Sequence, residues 1–265
     1  MRVIVTRVQP QARQWAQALA QQGHDALALP LIDIRGLADT QLLQQAWQQL
    51  AHYTAVMFVS APAVHYFYEQ NKALALAGQA LTAIYIRAWT TGPASRAALL
   101  AQGLPAGQVD SPPVEAGQFD SEALWQTVQG QIGPGARVLI VRGDTPGSPA
   151  ASPQGVGRDW LAQRLQAAGA QVEHVVAYQR GAPVWSTAQA AAAAAAATDG
   201  SVWLLSSTEA VANLRQLLPG QDWSAARAVA THARIAGAAR HAGFGRVVPA
   251  SPTLASVLAS IESLA

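Results

Sequence analysis

The sequence predicts an α/β protein built from two similar parallel-sheet units. Short runs rich in Val, Ile and Leu alternate with segments of helical period along all 265 residues. That is the pattern of parallel strands covered on both faces by helices. Patterned stretches of the first half also return, in the same order, in the second. Arg2-Val3-Ile4-Val5-Thr6-Arg7 returns as Arg137-Val138-Leu139-Ile140-Val141-Arg142, and Val56-Met57-Phe58-Val59-Ser60 as Trp203-Leu204-Leu205-Ser206-Ser207. Thr91-Gly92-Pro93-Ala94-Ser95 with Gly103 returns as Thr231-His232-Ala233-Arg234-Ile235 with Gly243. An offset of roughly 135–147 residues is far too long for a solenoid. Two similar α/β units on one chain leave a cleft as the expected ligand site.

Each element follows from its pattern. The first strand, 2–6, is apolar and runs into Arg7. The helix over 10–22 sets Trp15, Ala18, Leu19 and Gln22 along one stripe, and Gly23 ends it as a C′ glycine. Its counterpart over 158–168 sets Trp160, Leu161, Arg164, Leu165 and Ala168 before Gly169. The second strand, 26–34, outruns its neighbours and carries Pro30, which an edge tolerates and a sheet centre does not. Residues 172–180 are similarly long, and both stretches run into glycine, Gly36 and Gly181. Strands that outrun their sheet can serve as connectors between domains. The remaining strands are expected at 54–59, 83–88, 107–110, 137–142, 171–178, 201–206, 227–231 and 246–249. Helices are expected at 39–50, 62–71, 93–102, 120–130, 186–198, 209–218, 233–242 and 253–263. Five strands per unit is the flavodoxin-like size, with right-handed crossovers winding helices on both sides. Residues 143–157, crowded with Gly, Pro and Ser, are expected to form one long irregular loop.

Composition narrows the function. About half the residues are apolar, 12% are charged and the net charge is +2. Lys72 is the sole lysine, and no run of basic residues makes an electrostatic case for nucleic acid. Cysteine is absent, which removes disulfides, thiolate catalysis and Cys-ligated metals. The six histidines show no metal-ligand spacing. The N-terminus opens directly on a strand without a signal-peptide core, and no stretch reads as a membrane span. The expectation is a cytoplasmic protein. No nucleophile elbow, Walker loop or dinucleotide fingerprint follows a strand. The turn Thr6-Arg7-Val8-Gln9-Pro10 lacks the glycine that a flavin phosphate loop needs. Gly155-Val156-Gly157-Arg158 opens a helix and offers one weak anion site.

What remains is a set of polar residues at the carboxyl ends of strands, where open α/β sheets bind ligands. Arg7, Ser60, Thr90, Thr91, Arg142, Ser206, Ser207, Thr231 and His232 all stand there. A Ser or Thr at such a place ordinarily caps the following helix. Recurrence in both units adds weight to a ligand role.

Taken together, several segments resemble uroporphyrinogen-III synthase. These are Val5-Thr6-Arg7, Pro30-Leu31-Ile32, Phe58-Val59-Ser60-Ala61 with Ala63-Val64, Thr91-Gly92-Pro93-Ala94-Ser95, Val138-Leu139-Ile140-Val141-Arg142-Gly143 and Val176-Ala177-Tyr178-Gln179-Arg180. The resemblance runs in register from Arg2 to the last helix. It implies two flavodoxin-like domains joined by a two-stranded linker: 1–35 with 179–265 as a discontinuous domain, and 36–178 inserted into it. It also implies a carbon–oxygen lyase that cyclises linear hydroxymethylbilane with inversion of ring D and loss of water, without metal or organic cofactor.

The substrate implied is a tetrapyrrole polycarboxylate that closes unaided to the wrong isomer. The enzyme's main task is then to hold the chain so that one closure wins. By resemblance, Tyr178 assists loss of the terminal hydroxyl; a phenol keeps its proton at neutral pH and acts as donor. Ser60, Ser95 and Ser207 align with hydroxyls that line the family's site, and Arg7 and Arg142 are placed to meet carboxylates. The chain departs from the pattern at His232-Ala233 and at Ile235, where a hydroxyl residue is usual, so His232 stands as the substitute donor. A monomer is expected for want of an interface stripe. Two other readings share the layout: a non-catalytic two-lobed anion or tetrapyrrole sensor, and a response-regulator-like module. The second is disfavoured because Asp33, Asp110 and Asp144 are scattered.

Overall fold

A computed structural model of the chain describes residues 1–76, 86–113, 119–145 and 158–264. In chain order the first elements are β1 (Arg2–Val5), α1 (Gln11–Gln21), β2 (Asp25–Ala28), β3 (Asp33–Gly36), α2 (Gln41–Gln48), β4 (Ala55–Phe58) and α3 (Ala61–Leu76). They are followed by β5 (Arg87–Thr90), α4 (Pro93–Ala101), β6 (Val109–Asp110), α5 (Ser121–Val128), β7 (Arg137–Asp144), α6 (Arg158–Ala167) and β8 (Gln171–Gly181). The last are α7 (Thr187–Ala195), β9 (Val202–Leu205), α8 (Thr208–Leu217), β10 (Arg227–Ala230), α9 (Ala233–His241), β11 (Arg246–Pro249) and α10 (Leu254–Glu262). The chain divides into two compact units, Met1–Ile34 with Gly181–Ala265, and Arg35–Arg180. No helix among the described residues is long and apolar enough to cross a membrane.

The discontinuous unit holds a five-stranded sheet in the order β11-β10-β9-β1-β2, with every pairing parallel. Side-chain alternation decides what each face buries. Val3, Val5, Val202, Leu204 and Val229 pack on Ala12, Ala16 and Leu19 of α1 and Val257 and Ile261 of α10. Ile4, Trp203, Leu205, Ala228 and Ala230 face the other way, onto α7, α8 and α9. Each fully buried Val, Leu or Ile adds about 1.5–3 kcal/mol of hydrophobic stabilisation, so both faces are needed. Helix α1 stops where expected: Gly23 takes φ +84, which no β-carbon tolerates well. Its buried stripe is Ala12, Ala16 and Leu19, while the expected stripe member Gln22 is exposed.

The continuous unit holds a six-stranded sheet in the order β3-β8-β7-β4-β5-β6. Ala55, Met57, Val138 and Ile140 pack on Leu124 and Val128 of α5 and Leu161 and Leu165 of α6. On α2 and α3 an aromatic group closes the core: Trp47 stacks on Phe67 at 4.5 Å, Phe58 meets Phe67 edge-on at 5.4 Å, and Trp47 Nε1 donates to the Phe67 carbonyl at 2.7 Å. Both passages of the chain from one unit to the other run through neighbouring strands. The boundary falls within β3 and at the end of β8.

Reading β8-β7-β4-β5-β6 beside β2-β1-β9-β10-β11, with β7 as the counterpart of β1, gives corresponding strands the same spatial order, although β7 and β8 follow β4, β5 and β6 in the chain. The sequence repeat is therefore a structural one, but its halves are distributed: β1 belongs to one unit, and β4 and β5 of the same half to the other.

Three expected elements differ. The strand 26–34 is two strands in two sheets, β2 and β3, separated by Leu29 to Ile32. Leu29 and Leu31 still donate to Val5 and Thr6 carbonyls at 2.9 and 3.3 Å, and Pro30, with no N–H, falls at the position between them. The strand expected at 83–88 lies partly outside the described residues, and its described part runs on to Thr90. Gly143 and Asp144, expected to begin a loop, extend β7 instead; 146–157 lie outside the described residues, as do Gly155 and Gly157 of the anion motif.

Candidate functional site

In the continuous unit, Ser60 and Tyr178 are brought together. Ser60 stands between the end of β4 and the start of α3, and its Oγ accepts the Ala63 N–H at 3.2 Å, the ordinary work of a hydroxyl at a helix start. Tyr178 lies on β8, and its hydroxyl is 3.1 Å from the same Ser60 Oγ. The tyrosine is only 4% exposed. Its position comes from an irregularity in the ladder: Arg142 pairs with Val176 but Gly143 pairs with Tyr178, so β8 carries one extra residue there. Tyr66, on α3, stacks on the Tyr178 ring at 6.0 Å and 23°. Sequence reasoning missed Tyr66; the run Tyr66-Phe67-Tyr68, in a chain only 6% aromatic, was the available signal.

Arg142 does not join this group. It continues the alternation of Val138 and Ile140, which face α5 and α6, and it lines a small pocket with Met57, Val59, Leu161 and His174. Ser95 is the third residue of α4, behind Pro93 at the helix start, and is buried. Thr90, at the end of β5, is fully buried with its Oγ1 unpartnered.

In the discontinuous unit the strand ends carry Thr6, Arg7, Ser207 and His232. Thr6 Oγ1 donates to the Leu204 carbonyl at 2.6 Å and is committed to the sheet. Arg7 lies over the Trp15 ring, 4.4 Å from its centroid. Its Nε and Nη2 are buried without a hydrogen-bond partner, and burial pulls the guanidinium below its ordinary pKa. No carboxylate among the described residues takes this charge. A desolvated cation without an anion is costly, so the arrangement suits an anionic ligand.

Ser207 is the residue before α8, extended at φ −154, and its side chain makes no cap bond. His232 holds the same place before α9. Its Nδ1 accepts the Arg234 N–H at 3.1 Å, so the neutral ring carries its proton on Nε2. His232 is exposed, which leaves that N–H as an accessible donor. Ile235, where a hydroxyl was usual by resemblance, is a core residue packed with Ala236 and Ala239. A cavity of about 350 Å³, which the sequence did not signal, also opens in this unit, lined by Arg13, Pro30, Asp33, Trp185 and Gln189 among others. Among the described residues, no group of three His, Asp or Glu side chains gathers as a metal site.

The continuous unit therefore offers a phenol with a hydroxyl partner, and the discontinuous unit a half-buried guanidinium without a carboxylate and open helix starts. The family model described as Uroporphyrinogen-III synthase HemD matches residues 13–259. Among solved structures, the chain is similar to a mutant uroporphyrinogen III synthase from the extremely thermophilic bacterium Thermus thermophilus. That match has TM-score 0.53 and 17% identity, and covers 100% of this chain and 98% of the other. It is also similar to uroporphyrinogen-III synthetase from Helicobacter pylori, with TM-score 0.51 and 13% identity over 100% of this chain and 99% of that one. At such identities the two structures speak for the fold.

Proposed function

This chain belongs to the uroporphyrinogen-III synthase family, cyclising hydro-lyases of tetrapyrrole synthesis, and on that footing we propose how its own residues perform the reaction. The observation that carries the proposal is the Tyr178 hydroxyl, 3.1 Å from Ser60 Oγ. Ser60 already accepts the Ala63 N–H, so its own proton is free for the phenol oxygen. Tyr178 then keeps its O–H for an external acceptor. That acceptor is the terminal hydroxyl of hydroxymethylbilane. As the pyrrole nitrogen pushes electrons toward the carbinol carbon, the C–O bond breaks, the hydroxyl takes the Tyr178 proton, and water leaves. The substituted carbon of ring D closes on the resulting azafulvene, and the spiro intermediate fragments and recloses inverted. The phenolate recovers its proton when ring aromaticity is restored.

The substrate's acetates and propionates need hydrogen-bond donors. Arg7 is the first, because its two buried nitrogens lack a partner. The N–H groups at the start of α8, beside Ser207, and Nε2 of His232 are the next. Ser95 and Arg142 complete the set on the continuous unit. The units act as two domains, 1–35 with 179–265 and 36–178. The protein works as a cytoplasmic monomer, since the substrate closes unaided unless it is met where it is released.

The test is an isomer assay. Fresh hydroxymethylbilane is supplied, the products are oxidised to porphyrins, and the type I and type III isomers are separated chromatographically. Type III product is expected; type I alone would refute the proposal. Binding of a linear tetrapyrrole without conversion would favour the sensor instead.

A further inference from the structure

The Tyr178 ring sits in space that no residue other than glycine would leave. Gly143 is its register partner across β7 and β8, at the point where β8 carries its extra residue. A β-carbon built on Gly143 would fall into the phenol itself, against Cζ and Cε2, with Oη only 2.7 Å away. Gly143 has no left-handed backbone to explain it; the glycines with positive φ are others. The close approach of the ring is therefore the reason a side chain is excluded here. Tyr66 stacks on the same ring at 6.0 Å and is itself seated against Gly36, whose β-carbon would meet Tyr66 Cε1 at 3.4 Å. Ser60 precedes α3 and Tyr66 lies within it, so one helix supplies both the hydroxyl partner and the aromatic cover.

We propose that Gly143 and Tyr66 are positioning residues for the reaction. Gly143 admits the hydroxyl end of the Tyr178 ring, Tyr66 holds its face, and together they fix the phenol on Ser60. The inference rests on the role assigned to Tyr178 above. Neither residue touches substrate; each acts through where it places one proton donor. A donor moved by about 1 Å costs on the order of 10²-fold in rate, whereas ground-state binding through remote carboxylates is untouched.

The experiment measures kcat, KM and the type III to type I ratio for Gly143→Ala, Tyr66→Ala, Tyr66→Phe and Tyr178→Ala, and for Gly143→Ala combined with Tyr178→Ala. Gly143→Ala should lower kcat by roughly 10- to 10²-fold with KM within about twofold of wild type. In the Tyr178→Ala background the same substitution should cost nothing further, because the ring it displaces is gone. Tyr66→Ala should lose roughly tenfold in kcat, and Tyr66→Phe, which keeps the stacked face, should recover most of it. Wild-type kcat in Gly143→Ala, or an equal loss with and without the Tyr178 ring, overturns the proposal. If Gly143→Ala does not fold, the Tyr66 pair decides alone, and equal rates in Tyr66→Ala and wild type overturn it. Full activity in Tyr178→Ala would instead sink the role of Tyr178, and the positioning with it.

Discussion

At the start of α3, Ser60 is engaged twice, by the Ala63 N–H and by the Tyr178 hydroxyl. At the start of α8, Ser207 holds the corresponding place in the other unit and its side chain caps nothing. The same contrast runs along both rims. The continuous unit follows β5 with Gly92 and Pro93, whereas the discontinuous unit follows β10 with His232, whose ring caps its own helix through Nδ1. Two copies of one framework have thus specialised. One rim carries a tyrosine wired to a serine, and the other an uncompensated arginine and open helix starts. On the proposed reading, one strand order serves a proton donor in one unit and anion reception in the other.

That division can be broken. The largest effect should come from Tyr178→Phe, which removes the proton and keeps the ring: kcat should fall by about 10²-fold with an unchanged melting temperature. Unchanged kcat would erase the division. Next in size is Gly245→Ala, whose β-carbon would strike the Ser224 carbonyl, backbone that cannot give way. A loss of about 2–3 kcal/mol is expected in urea unfolding. The corresponding place before β6 carries Gln108.

Arg7→Met should raise KM about tenfold, while the melting temperature holds or rises because a desolvated charge is gone. Arg142→Met, on a face away from Tyr178, should raise KM less. Ser60→Ala should cost about 1 kcal/mol of stability, and Ser207→Ala no more than about 0.5 kcal/mol.

The smallest effect concerns the pairs that tie β7 to β8 and β1 to β2. Arg137 hydrogen-bonds Glu173 and holds its carboxyl below the usual carboxylate range, with Tyr53 donating to Glu173 at 2.8 Å. Burial first, then the carboxylate, pushes the Tyr53 phenol up to about 12. In the other unit Arg2 pairs with Asp25 at 2.9 Å and reaches Asp199 at 3.8 Å. A depressed carboxyl adds stability above its unfolded pKa and loses it as pH falls through the folded value. The small gap in thermal midpoint between wild type and Glu173→Gln should therefore be present at pH 7 and close below pH of about 4.

The fold was legible where one pattern had one meaning. Val3-Ile4-Val5 and Val138-Leu139-Ile140-Val141 are strands because apolar residues on both faces fit a sheet covered on both sides, and Gly23 and Gly169 take the left-handed conformations their positions required. The break of 26–34 was not legible. Pro30 between two ladder donors is compatible with one strand or two, and only the partner strands decide. In the site, residue types at strand ends were readable but facing was not. Arg142 and Gly143 are neighbours in sequence, yet a one-residue irregularity in β8 sets Tyr178 beside Gly143 and leaves Arg142 on the opposite face. Tyr66 stayed hidden because an aromatic on a helix reads as core, which its neighbour Phe67 is.

The pairing of Val3 with Val202 and of Val5 with Leu204 has a consequence for synthesis. The β1–α1–β2 segment leaves the ribosome well before β9, with an apolar strand whose far neighbour is still about 200 codons away. The contiguous unit can close on itself earlier, while the opening segment waits with an unpaired strand edge that invites misassociation. Birth order and assembly order therefore differ, and the nascent β1–α1–β2 segment is a stretch in need of chaperoning.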